Sequence, residues 1–248
     1  MPGRCPTRSG GLIADGISKE FGVPGRPVLR GVDLRASPGH CTSVLGPAGS
    51  GKSVLLRCLA GLERPTHGTV RIAGTDLGTL DEAARTEFRR ERIGIVYPQG
   101  NLLPVLTVLD NLLLPLDTAG RRADPELLDR ALDALDVREL LGRSSQSLTR
   151  AEQQRVALAR AVVQQADLLL ADEPTAGLDA VNGRHLLRLL RRCCNEFGLP
   201  VVLLSTDPAA AAYADRLIAL HDGRVVQDKE RPGDCWCEPR EARAEHIA

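Results

Sequence analysis

Gly46-Pro47-Ala48-Gly49-Ser50-Gly51-Lys52-Ser53 is the stretch on which the reading of this chain turns. The residues before it, 41–45, read as a short strand. The residues after it, 54–59, carry an apolar helical period closed by Gly61. A glycine-rich turn between strand and helix, ending in Lys-Ser, satisfies the phosphate-binding P-loop pattern at every fixed position. Each residue type has a physical reason to be there. Glycines let successive backbone N–H groups turn inward around a phosphate, and the helix start near Lys52 adds its positive end. Lys52 brings a full charge, and the Ser53 hydroxyl suits a magnesium ion. A plain glycine turn would explain the glycines but not the Lys-Ser pair. Gly46, Pro47, Ala48, Gly49, Ser50, Gly51, Lys52 and Ser53 are therefore the candidate nucleotide cradle, with ATP and Mg2+ as the expected ligands.

Leu168-Leu169-Leu170-Ala171-Asp172-Glu173 supplies a second half. Its continuous apolar run fits a strand buried on both faces of a parallel sheet. Asp172 at its end is placed to hold the magnesium, together with Ser53. Glu173 is placed to orient or deprotonate an attacking water and is the candidate catalytic residue. Two acids after a strand are common in solvated loops; downstream of a complete P-loop they point to nucleotide hydrolysis.

Working outward, residues 28–34, 69–72 and 92–97 read as strands, the last ended by Pro98. Residues 101–160 are Leu-rich, mostly helical in period, and punctuated by Pro104, Pro115 and Pro125. A helix over 182–197, a strand over 201–204, a short helix over 209–214 and a hairpin of 217–220 with 224–226 complete the pattern. Alternating strands and helices predict an α/β fold: a P-loop core of mainly parallel sheet, a small antiparallel subdomain, and a helical subdomain inserted at about 98–160. One domain is expected over 12–226, with loose termini at 1–11 and 227–248.

The 248 residues suffice for such a core, and 43% hydrophobic with 26% charged residues is an ordinary globular composition. A formal net charge of +0 and 2% aromatics argue against a nucleic-acid partner, which calls for a basic face or stacking platforms. Seven cysteines require no disulfide framework. Cys235-Trp236-Cys237 lacks zinc-knuckle spacing and reads as incidental. No apolar run reaches the roughly 18 residues that span a bilayer, and the N-terminus has no apolar signal core. The expectation is a cytoplasmic protein whose membrane role comes through a partner.

The motif set extends further. Glu173-Pro174-Thr175-Ala176-Gly177-Leu178-Asp179, the run from Glu152-Gln153-Gln154-Arg155 to Ala161, Asn101-Leu102-Leu103-Pro104 and Asp215-Arg216-Leu217-Ile218 resemble ABC transporter ATP-binding subunits, in the lipoprotein-releasing and macrolide-export branch. The resemblance covers about residues 12–226 and implies the rest. Phe21, just before the first expected strand, matches the aromatic that stacks on adenine. ATP on one subunit's loop is capped by a second subunit's signature turn, here at Thr149, in a homodimer or heterodimer. Closure drives a transmembrane permease, which holds the subunit peripherally on the inner face of the plasma membrane. The segment 101–116 is either a docking surface for that permease or buried helical core.

This chain departs from the family pattern in three places. The signature Leu-Ser-Gly-Gly is Leu148-Thr149-Arg150-Ala151, which keeps a hydroxyl and a capping box with Glu152 but loses both glycines. The magnesium-sensing glutamine aligns with Pro98, with Gln99 one place later. The switch histidine aligns with Thr206, too short to span to a γ-phosphate and unable to titrate near neutrality. The expected function is an exporter-type ATP-binding subunit that hydrolyses ATP slowly. The alternative is an ATP-binding regulatory subunit that signals to a membrane partner with little turnover. A soluble ABC protein of translation or DNA repair fits less well, for want of a second ATPase domain and a basic face.

Overall fold

Unbroken apolar runs, 168–171 and 201–204, make two inner strands of the main sheet. The computed structural model describes residues 10–23 and 25–231. In chain order the strands are β1 (Leu12–Phe21), β2 (Arg26–Ala36), β3 (Cys41–Leu45), β4 (His67–Ile72), β5 (Thr75–Asp76), β6 (Ile93–Val96), β7 (Leu168–Asp172), β8 (Val201–Ser205), β9 (Arg216–His221) and β10 (Arg224–Glu230). The helices are α1 (Lys52–Leu59), α2 (Glu82–Arg92), α3 (Val108–Thr118), α4 (Pro125–Ala134), α5 (Arg150–Val163), α6 (Ala180–Phe197) and α7 (Pro208–Ala211).

Six strands in the order β10-β9-β3-β8-β7-β6 form the main sheet, parallel except for the β9–β10 hairpin. A four-stranded antiparallel sheet, β2-β1-β4-β5, packs beside it. Along β7, Leu168 and Leu170 enter one core with α1 and the antiparallel sheet, while Leu169 and Ala171 enter the other with α5 and α6. Burial on both faces is what the unbroken apolar run predicted. The helices α3, α4 and α5 lie between β6 and β7 in the chain, and Pro125 sits in the first turn of α4, where its missing N–H costs nothing.

Besides the two-residue β5, two longer elements were not legible in the sequence. β1 is a ten-residue strand whose alternation is broken at Gly16, a left-handed residue (φ +61°) within the register shift between Ala14 and Ile17. The bulge moves the apolar phase by one and hides the period of 2. Phe21 is accordingly the last residue of β1, not a residue preceding the first strand. α2 buries only Arg85, so it has no apolar stripe to read. β10 also continues to Glu230, past the expected domain boundary at 226. The cysteines Cys41, Cys58, Cys193 and Cys194 are free and buried. Cys235 and Cys237 lie outside the described residues.

Candidate functional site

The parallel order brings the carboxyl ends of β3, β8, β7 and β6 side by side, where open α/β sheets place their ligands. The P-loop leaves β3 and enters α1. Gly49 and Gly51 take left-handed φ of +80° and +104°, which only glycine adopts cheaply. A methyl on Gly46 would meet the Leu220 carbonyl oxygen at 2.3 Å. Lys52 is 7% exposed and donates to the Gly46 and Pro47 carbonyls at 2.7 and 3.0 Å, closing the loop on itself. Neighbouring elements brace it: Gly46 N–H donates to Ser205 O (3.2 Å) and Gly223 N–H, from the β9–β10 turn, donates to Ser50 O (2.9 Å). That brace was invisible in sequence, because the partners lie far apart along the chain, Gly46 from Ser205 and Ser50 from Gly223. The Ser50 hydroxyl is buried with no hydrogen-bond partner among the described residues, an orphaned donor within a loop of turned-in amides. These features fit a bound phosphate. The Ser53 side chain, in the first turn of α1, is exposed.

Asp172 ends β7 and is partly buried. Burial pushes its carboxyl above the usual range, the neighbouring Glu173 charge adds to this, and Lys52 opposes it. An acid held uphill of ionisation suits a divalent cation, whose charge would relieve both effects. Glu173 takes a left-handed φ of +42°, strained for a side chain of this kind and typical of functional positions. Its Oε1 lies 3.6 Å from Lys52 Nζ. Its Oε2 accepts from Thr206 N–H (3.0 Å), Thr206 Oγ1 (3.3 Å) and Ser205 Oγ (3.4 Å). Sequence reasoning treated Thr206 only as a lost histidine; here it holds the glutamate. Its backbone N–H is donor enough, and no side-chain pattern announces a backbone donor.

Thr149 does not join this cluster. It is the N-cap of α5, with Thr149 N–H donating to Glu152 Oε2 at 2.7 Å and Glu152 N–H to Thr149 Oγ1 at 3.3 Å, the capping box expected. Phe21 is 40% exposed at the end of β1, with Lys19 Nζ 5.0 Å from its ring centre. Segment 101–116 divides in two. Val108, Leu112 and Leu116 of α3 are core, whereas Leu103 and Val105 in the loop before it are 45% and 85% exposed. Buried Asn111 pins that loop, accepting from Leu103 N–H and donating to Leu103 O.

A family model described as ABC transporter matches residues 29–176. The lipoprotein-releasing system ATP-binding protein LolD of Anaeromyxobacter dehalogenans is 39% identical over 218 residues, 86% of this chain and 91% of that protein. The macrolide export ATP-binding/permease protein MacB of Syntrophobacter fumaroxidans is 37% identical over 84% of this chain and 30% of its own length. Among solved structures, the dimeric post-hydrolysis state of the ATP-binding cassette MJ0796 bound to ADP and Pi superposes with a TM-score of 0.77. It is 33% identical and is covered over 100% of its length by 90% of this chain. MJ0796 is from Methanocaldococcus jannaschii. On sequence and on fold alike, this chain belongs to the ABC transporter family, as an ATP-binding cassette with the α/β P-loop architecture.

Proposed function

We propose that this chain is the ATP-binding subunit of an exporter-type ABC complex, coupling ATP to a separate transmembrane permease, and that it turns ATP over slowly. The observation that carries the reading is the convergence of a complete phosphate loop with Asp172 and Glu173, with Lys52 Nζ 3.6 Å from the Glu173 carboxylate. The loop amides and Lys52 bind the phosphates, Phe21 stacks on the base, and Thr149 faces the nucleotide of a second copy. Ser53 and Asp172 would hold Mg2+, which supplies charge neutralisation at the phosphates when bound. Glu173, anchored through Oε2 by Thr206 and Ser205, orients and accepts a proton from the attacking water.

No helix among the described residues is long and apolar enough to cross a membrane. The permease would therefore bring the subunit to the inner face of the plasma membrane, and exposed Leu103 and Val105 suit that contact. Pro98, Arg150 and Thr206 favour a second reading, a regulatory subunit with little turnover. Calorimetry tests the phosphate loop that both readings need, and steady-state phosphate release separates them: purified protein binds Mg-ATP, and Lys52→Ala weakens binding markedly. Equal affinity in the two proteins would refute a working phosphate loop.

A further inference from the structure

Side chains of α5 hold four carbonyls of the loop after β6, those of Tyr97, Pro98, Gly100 and Asn101. Gln154 donates to Tyr97 O (2.8 Å), and Arg160 donates to Asn101 O (3.2 Å) and Gly100 O (3.5 Å). Arg150 donates from both its Nε and NH2 nitrogens to Pro98 O, at 3.3 and 3.2 Å. The third nitrogen of its fork lies against Gly177, where a methyl would come within 2.4 Å of it. The two loops touched by Arg150 flank Glu173. β6 and β7 are parallel with Val96 opposite Ala171, so the loops that carry Pro98 and Glu173 leave neighbouring strand ends, and Gly177 follows four residues after Glu173.

We propose that Arg150 is a positioning residue that works in cis. From the first turn of α5 it ties this chain's own loops at 97–101 and 173–178 together beside Glu173, at the position where the family pattern has a glycine facing a second chain's nucleotide. The planar fork is what permits it: two nitrogens serve one carbonyl while the third packs on the other loop. Gly177, at a left-handed φ of +72°, leaves the space the guanidinium fills, and a side chain there would displace it. The proposal rests on the reading of Glu173 as the catalytic residue only for its consequence, not for the contact itself.

Amide hydrogen exchange on the nucleotide-free protein, at concentrations too low for self-association, tests it. The reporters are Gly100 N–H, bonded to Tyr97 O, and Ala176 N–H, bonded to Glu173 O. Arg150→Ala should speed exchange in both loops by about tenfold, the size of one lost charge-assisted bond, with α5 itself protected as before. Arg150→Lys, one ammonium without a fork, should restore protection at 97–101 and leave 173–178 fast. Unchanged exchange without nucleotide, or a difference appearing only when ATP is added, would overturn the cis assignment and place Arg150 on the second copy's nucleotide. Equal rescue of both loops by lysine would overturn the role of the fork.

Discussion

Restoring the family residues at the three departures should raise hydrolysis, and the structure says in what order. Pro98→Gln alone should do little. It keeps the backbone carbonyl that Arg150 grips at 3.2 Å, so the loop stays where it is. Arg150→Gly with Ala151→Gly removes the grip, yet leaves no amide to place on the metal side. Thr206→His keeps the backbone N–H that holds Glu173 at 3.0 Å and gives up only the weaker hydroxyl contact at 3.3 Å. Combined, the four substitutions should raise steady-state phosphate release at saturating Mg-ATP by at least about tenfold, a cautious share of the 10²–10³ usually lost with one preorganised donor. Pro98 and Arg150 touch, so a double-mutant cycle between them should show a coupling of about 0.5–3 kcal/mol in the activation free energy. Stability should move the other way. Two glycines in the first turn of α5 cost up to about 1 kcal/mol each. For a chain of this length that lowers Tm by about 4–8 °C in total. A variant that melts earlier and turns over faster cannot owe its rate to tighter folding. Glu173→Gln in the same background should abolish the gain and excludes a contaminating ATPase. An unmodified protein already hydrolysing at about 1 per second or faster would refute the slow-turnover reading. So would a fourfold variant no faster than its parent.

Other substitutions probe single links. Asp172→Asn should raise Tm in the absence of nucleotide and magnesium, because the folded protein holds that carboxyl above its usual pKa. The sign follows from linkage: a raised acid pKa costs stability above the unfolded-state value, and the cost fades as pH falls through the folded value. Melting curves of the two proteins should therefore converge in mild acid, and a gap that widens there would contradict the assignment. Thr149→Ala should cost about 1 kcal/mol by removing the α5 N-cap, or about 2–4 °C in Tm. A loss well under that would mean the capping box contributes little. Gly46→Ala forces a methyl into the Leu220 carbonyl and should destroy Mg-ATP binding in calorimetry; retained affinity would show that the loop can shift. Val105→Asp, at an 85% exposed position, should leave Tm unchanged while co-expressed permease no longer recruits the protein to membranes. Normal recruitment would move the docking surface elsewhere.

The fold class and the glycine-rich loop between β3 and α1 were readable from residue order, because a P-loop is a local object. Its glycines, lysine and serine are adjacent in sequence, and the helix they open follows at once. The continuous run of 168–171 was equally informative, since a strand buried on both faces needs nothing but apolar residues. Three things escaped the sequence for physical reasons. Gly16 introduces a bulge that shifts the phase of β1, and α2 has no apolar face to show a period. The support of Glu173 by Thr206 N–H passes through a backbone donor that any residue carries. At the departures, sequence reports only which residue types are missing. What Arg150 does in place of glycine depends on how far α5 lies from the ends of β6 and β7, a distance set by the packing of the inserted helices on the sheet. Alignment alone showed two glycines lost from a turn expected to face a second chain; the tertiary structure turns the Arg150 side chain back onto Pro98 and Gly177 of its own chain.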